Sequence, residues 1–181
     1  MNNIIFRIVD TFPEPAFSAL VDGAFADYEP SELLTDVASA ETAARQRTVN
    51  AIEDGDLRIG AFRDDSLIGW TFARPEGASL LYMINSCVAP AQRRTGIYTE
   101  LARRVIEHAG SLGYAAILSR HTANNNAVIV AKLKLGFFVS GFEYSEVYGP
   151  LVRLTFLLGE LRRALYRTRA SPIRRAKRRD A

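Results

Sequence analysis

A change of hydrophobic period between residues 57 and 119 restricts the fold more than any other feature. Three apolar, β-rich runs come first, at 57–62, 66–73 and 79–88, with Asp64-Asp65 and the 75–77 segment between them. Short runs joined by such turn residues read as an antiparallel meander. Residues 96–112 then adopt helical spacing, with Ile97, Leu101, Val105, Ile106 and Ala109 on one face. Gly113 closes that helix and 115–119 returns to strand. A strand–helix–strand crossover sets strands 79–88 and 115–119 parallel and adjacent or nearly so.

The flanks complete the pattern. Residues 4–9 are a β-branched run. A helical stretch opens at Thr11 and Pro13, with Phe17, Leu20, Val21 and Phe25 at helical spacing. Another begins at Pro30-Ser31 and ends at Gly55. Beyond the crossover, 126–135 reads as a short helix with Gly136 as its C-cap, followed by strands 137–148 and 151–158. The expected class is α/β (α+β): a mixed, mostly antiparallel sheet of six to seven strands flanked by helices.

A chain of 181 residues makes about one domain. Residues 1–158 form that domain and 159–181 a basic helix and tail. The single cysteine, Cys87, has no disulfide partner, and His108 and His121 are too few and too scattered for a zinc site, so no metal is expected. The apolar start is broken by Arg7 and Asp10, which argues against a signal peptide. No run approaches the roughly 18 residues that cross a bilayer. A cytoplasmic location is the resulting expectation.

The net charge of +3 is unevenly spread. Residues 1–158 hold 14 Lys+Arg and 18 Asp+Glu, a net of −4, whereas 159–181 hold 9 and 2, a net of +7. An acidic body argues against DNA as a partner.

The most informative segment is Val88-Ala89-Pro90-Ala91-Gln92-Arg93-Arg94-Thr95-Gly96-Ile97-Tyr98. A strand ends, Pro90 breaks it, a basic loop follows and a helix opens near Gly96. The first amides of a helix have no intrahelical partner and lie at its positive end. A phosphate placed there meets several donors at once. Gly96 has no side chain to block the approach, and Arg93 and Arg94 add charge at the rim. A solvated loop with no ligand would carry the same residues.

This segment resembles the acetyl-CoA pyrophosphate loop of the GNAT acetyltransferases, an Arg/Gln-x-x-Gly-x-Gly/Ala pattern after a strand ending V-x-P. Arg93, Gly96 and Val88-Ala89-Pro90 match. Arg94 stands where many members have Gly, and Tyr98 where a second Gly or Ala is usual. Residues 126–137 are similar to the family's N-x-x-A-x-x-x-Y-x-K-x-G-F helix. Asn126, Lys134, Gly136 and Phe137 match, and Lys132 takes the Tyr position. The likeness spans roughly 55–158.

The resemblance implies a GNAT fold and acetyl-CoA as co-substrate. It implies pyrophosphate contacts from Arg93, Arg94, Thr95, Gly96, Ile97 and Tyr98. Pantetheine contacts would come from the backbone of Cys87 and Val88, on a strand that bulges and parts from its neighbour, and from Asn126. It further implies acetyl transfer to an amine by direct attack in a ternary complex. Acyl transfer needs a positioned nucleophile, a polarised carbonyl and proton handling. His121, just past strand 115–119, titrates near neutrality and is the candidate base. Lys132 is either a helix-surface lysine or a group that stabilises the departing thiolate. Tyr82 and Asn85 are candidates for the acceptor side, and Glu143 or Glu146 for holding a cationic acceptor. Cys87 reads as a small buried thiol.

Two outcomes remain open at this level. One is an N-acetyltransferase acting on a small-molecule or peptide amine. The other is a catalytically weak module that binds coenzyme A or docks on RNA or membrane through its basic tail. Homodimerisation through a sheet edge is a further expectation.

Overall fold

The computed structural model describes residues 3–25 and 55–170. The helical stretch expected from Pro30 on and the basic run 171–181 lie outside the described residues.

Seven strands form one sheet: β1 (Ile4–Ile8), β2 (Leu57–Arg63), β3 (Ser66–Glu76), β4 (Leu80–Val88), β5 (Ala116–Thr122), β6 (Phe138–Ser145) and β7 (Gly149–Leu157). Their order across the sheet is β1-β2-β3-β4-β5-β7-β6. Among the described residues, only β4 and β5 pair in parallel. The described helices are α1 (Ala16–Phe25), α2 (Ile97–Ser111), α3 (Asn126–Lys134) and α4 (Glu160–Ala170). The mixed seven-stranded sheet with flanking helices agrees with the sequence reading.

Three boundaries moved: the last hairpin turns at 146–148 rather than after Tyr148, because Gly149 and Pro150 pair with Ser145 and Tyr144, and two others moved for equally identifiable reasons. β3 runs through Pro75 to Glu76, because Pro75 and Glu76 pair with Leu81 and Leu80. β5 continues past Ser119 to Thr122, because Arg120, His121 and Thr122 pair with Arg153, Val152 and Leu151 of β7. His121 therefore sits within a strand rather than beyond it.

Alternation along the strands sends side chains to two faces. On one face, Leu57, Ile59, Ala61, Leu81, Met83 and Ile117 pack against Ile97, Leu101, Ala102, Val105 and Ala109 of α2. On the other, Trp70, Phe72 and Cys87 meet Phe12 and Phe17 at the start of α1. Trp70 lies 5.4 Å from Phe12 and 4.9 Å from Phe17, centroid to centroid. Such ring pairs add about 1 kcal/mol each beyond their buried area.

Gly69 makes this arrangement possible at the head of α2. A Cβ there would meet the Cys87 carbonyl at 3.1 Å and Ile97 Cγ2 at 3.2 Å. Its absence lets the first residue of α2 settle directly on the sheet.

Candidate functional site

The site is built where β4 leaves β5. Their parallel pairing covers Leu80↔Ala116 to Met83↔Ser119 and stops there. One residue later β4 bulges. Phe72 of β3 pairs with Asn85 while Ala73 pairs with Met83, so Ile84 is extra. A bulge bends its strand and raises the local twist. β5 meanwhile stays on β7 through Thr122. The two strands diverge into a fork, and from Ile84 onward β4 turns no backbone ladder toward β5.

The far end of β4 leads into the basic loop. Ala89 N–H donates to the Ile68 carbonyl at 2.9 Å, which ties the strand end to β3. Pro90–Gln92 form a single 3₁₀ turn. Arg93 Nε donates to the Val88 carbonyl at 3.3 Å, and the Thr95 hydroxyl donates to the Gln92 carbonyl at 2.6 Å. Arg94 and Gly96 both adopt left-handed backbone, at φ 65° and 89°. Left-handed backbone costs a residue with a side chain roughly 1–2 kcal/mol, which gives a physical reason for the glycine usual at the Arg94 position.

Gly96 is the N-cap of α2, and among the described residues no side chain caps that end. The first intrahelical bond belongs to Glu100 N–H. The amides of Ile97, Tyr98 and Thr99 are therefore left over at the positive end of a 15-residue helix. A Cβ built on Gly96 would meet nothing within 4 Å, so the approach is open. Tyr98 does not obstruct it. Its ring turns inward onto the main core. Its hydroxyl is buried without a partner among the described residues, and burial raises its pKa. Arg93, Arg94, Thr95 and Gly96 are all exposed around the loop.

At the closed end of the fork the structure brings together the two candidates for proton handling. Ser119 and His121 share, by alternation, the face of β5 on which Ile117 packs against α2. His121 Nε2 lies 3.1 Å from Ser119 Oγ. Lys132 of α3 is 1% exposed. Its ammonium donates to Met83 Sδ at 3.2 Å and lies 4.6 Å from the Phe137 ring centroid. Lys132 is therefore no surface lysine: its nitrogen rests on the last β4 residue that still pairs with β5. Desolvation lowers its pKa to about 7. Burial, and secondarily the Lys132 charge, lowers His121 to about 3. His121 is thus neutral at any working pH and a weaker base than free histidine.

The remaining candidates fall in two groups. Cys87 is buried on the opposite face, where its thiol donates to the Leu20 carbonyl at 3.7 Å. Desolvation raises its pKa, against a smaller opposing effect of Arg93. The thiol is accordingly inert, and only the Cys87 and Val88 backbones border the fork. Asn126 is exposed at the first position of α3; the cap itself is Asn125, whose side chain accepts from Val128 N–H at 3.4 Å.

Glu143 is already engaged. It accepts from Arg120 at 2.7 Å and from Arg153 at 3.3 Å. Arg120 also stacks on Tyr82, with 4.9 Å to the ring centroid. Met83, Ser119 and Gly69 were missed in the sequence. Only Gly69 left a signal there, as an isolated glycine inside a strand pattern.

Known proteins agree with this geometry. The profile of the Acetyltransferase (GNAT) family matches residues 19–137, about two thirds of the chain. No curated protein matches the sequence. Among solved structures, an N-acetyltransferase from Staphylococcus aureus Mu50 superposes with TM-score 0.64 at 21% identity, covering 87% of this chain and 99% of its own. A Salmonella typhimurium protein described as an acetyltransferase, solved with its cofactor acetyl-CoA, gives 0.64 at 19% identity, covering 87% and 95%. The ribosomal-protein-S18-alanine N-acetyltransferase from Escherichia coli gives 0.61 at 15%, covering 86% and 97%. At these identities the likeness speaks for the fold, and the family match covers the basic loop, the fork and α3 alike. The chain belongs to the GNAT family of acetyltransferases.

Proposed function

We propose that the chain moves an acetyl group from acetyl-CoA to an amine, by direct attack of the amine on the thioester in a ternary complex. The fork at Met83↔Ser119, running out to uncapped amides behind Gly96, is the observation that carries this reading. The donor's diphosphate lies against the amides of Ile97, Tyr98 and Thr99, with Arg93, Arg94 and Thr95 around it. The pantetheine arm follows the diverging β4 backbone at Cys87 and Val88, with Asn126 on the α3 side. The thioester belongs at the closed end, beside Met83 and Lys132.

The chemistry follows from that placement. The amine lone pair attacks the thioester carbonyl carbon and the carbon–sulfur bond breaks. The leaving thiolate has a conjugate acid near pKa 8.5. An ammonium of pKa about 7 at Lys132 can give it a proton and then recover one from the newly acylated nitrogen. His121, neutral and hydrogen-bonded to Ser119, acts as a relay in that transfer rather than as the final base. Lys132 thereby acts from the position where the family's pattern has a tyrosine. The acceptor is a small-molecule or peptide amine approaching from the Tyr82 and Asn85 side. Glu143 contributes there through Arg120 and Arg153.

Calorimetric titration with acetyl-CoA tests the reading. Binding should be saturable and should vanish in Gly96→Glu, which sets a carboxylate among the uncapped amides. Thiol release with an amine panel should depend on the acceptor. Absence of binding to the wild type would remove the proposal. Binding without turnover of any amine would leave a coenzyme A-binding module.

A further inference from the structure

The C-terminal helix α4 is amphipathic in an unusual sense: its apolar stripe points away from the protein. Arg163 and Tyr166 attach it. Arg163 donates to the Leu157 carbonyl at 3.2 Å, and the Tyr166 ring stacks on Phe138 at 3.8 Å between centroids. Leu161 and Leu165 are one turn apart on the opposite side, 87% and 52% exposed. Arg162, Arg167 and Arg169 are exposed on the flanks of that stripe. None of the described residues covers the two leucines enough to bury them.

We propose that α4 is an interfacial anchor that lays Leu161 and Leu165 into an anionic membrane surface, with its arginines on the lipid phosphates. Helices of this composition, with low overall hydrophobicity, arginines on the polar side and leucines on the other, lie in the plane of the interface. Residues 159–181 carry a net charge of +7 while 1–158 carry −4. Within the described helix itself, four arginines stand against one glutamate, which complements a negative leaflet. RNA would satisfy the arginines equally well but would leave both leucines in water. A lipid surface satisfies both.

The position fits an anchor that leaves the site free. β7 ends at Leu157, which pairs with Ala116 at the start of β5. Phe138, which holds Tyr166, pairs with Thr155 close to the same end. The fork opens at the opposite end of β5, toward Thr122 and Val88. A membrane against α4 therefore does not block the basic loop.

The test is flotation of the full chain with phosphatidylcholine vesicles, with and without phosphatidylglycerol. Binding should appear only with phosphatidylglycerol, weaken with added salt, and fall at least about tenfold in Leu161→Ser/Leu165→Ser. Both positions face solvent, so the variant should unfold at the wild-type denaturant midpoint, which separates lost docking from lost fold. Equal binding by the double variant would overturn the proposal. So would equal binding to neutral vesicles, binding confined to an oligouridylate probe, or wild-type self-association abolished by the same substitutions. The experiment reads no acetyl-CoA chemistry and stands or falls apart from the catalytic reading.

Discussion

Replacing Lys132 by methionine should make the protein more stable at neutral pH, and the gain should shrink as pH rises. An amine of ordinary pKa 10.5 is held at about 7 in the folded state by desolvation. Below pH 7 both states carry the proton, and the folded state bears the full cost of a buried charge. Between 7 and 10.5 only the unfolded state is protonated, so stability climbs by about 1.4 kcal/mol per pH unit. A folded pKa below the unfolded one thus gives a penalty complete below 7 and relieved as pH rises. The burden at pH 7 is about 4 kcal/mol, and about 2 kcal/mol of it is gone by pH 9. Methionine keeps an unbranched chain of similar length and carries no charge. The ammonium's contacts with Met83 Sδ and the Phe137 ring are already contained in that folded pKa, and they lapse once the amine is neutral. Lys132→Met should therefore gain on the order of 4 kcal/mol at pH 7 and only about 2 kcal/mol at pH 9.

The assay is urea unfolding at both pH values, followed by the fluorescence of Trp70, the only tryptophan, 1% exposed among the α1 aromatics. His121 does not confuse the comparison. Its folded value of about 3 places its own stability change between 3 and the ordinary 6.5, below the window used. Cys87, whose thiol is raised from 9.0, is common to both proteins. A wild-type-to-variant difference that is the same at pH 7 and pH 9 would contradict a desolvated Lys132. It would mean that the amine is solvated or paired, and that the proposed proton donor does not exist.

Two further outcomes follow from the loop and the strand. Arg94→Gly removes a side chain from φ 65°, relieving roughly 1–2 kcal/mol of strain against about 0.5–1 kcal/mol of added chain entropy. The variant should be slightly more stable in urea, while acetyl-CoA binds a few-fold more weakly by calorimetry for want of one exposed charge. Tighter binding would discard the assigned contact. His121→Gln should lower kcat yet leave the midpoint of the pH–rate limb near 7 in place, because that limb belongs to Lys132. A midpoint that disappears with the imidazole would return the base role to His121.

Most of the fold was legible in the sequence because local signals and tertiary structure agree there. Ile97, Leu101, Val105 and Ala109 repeat at helical spacing and all are buried. Asp64 and Asp65 mark a tight turn and both take positive φ. The basic loop was legible for the same reason: Pro90 ends a strand and Gly96 opens a helix in chain order. The fork was expected only through the family resemblance, and periodicity alone could not locate it. It arises from a one-residue bulge at Ile84 and from β7 inserting between β5 and β6, and neither leaves a periodic trace. The neutrality of His121 was equally hidden, since it depends on what folds over the ring.

Helix α3 shows where sequence logic breaks and why the break matters. Its residues Asn126–Lys134 read NAVIVAKLK, and hydrophobic patterning alone would bury its valines and leucine and expose both lysines. The structure does the reverse at three positions. Val130 is 48% exposed and Leu133 42%, while Lys132 is the buried residue of the helix. Turning α3 this way forgoes apolar burial worth roughly 1 kcal/mol or more per side chain and adds the charge-burial cost worked out above. A chain only marginally stable overall does not keep such an inversion without return. Local rules fail where a site demands it, and this failure sets an amine on Met83, at the one point where β4 and β5 separate. The placement of that amine, more than its identity, argues that it acts on what enters the fork.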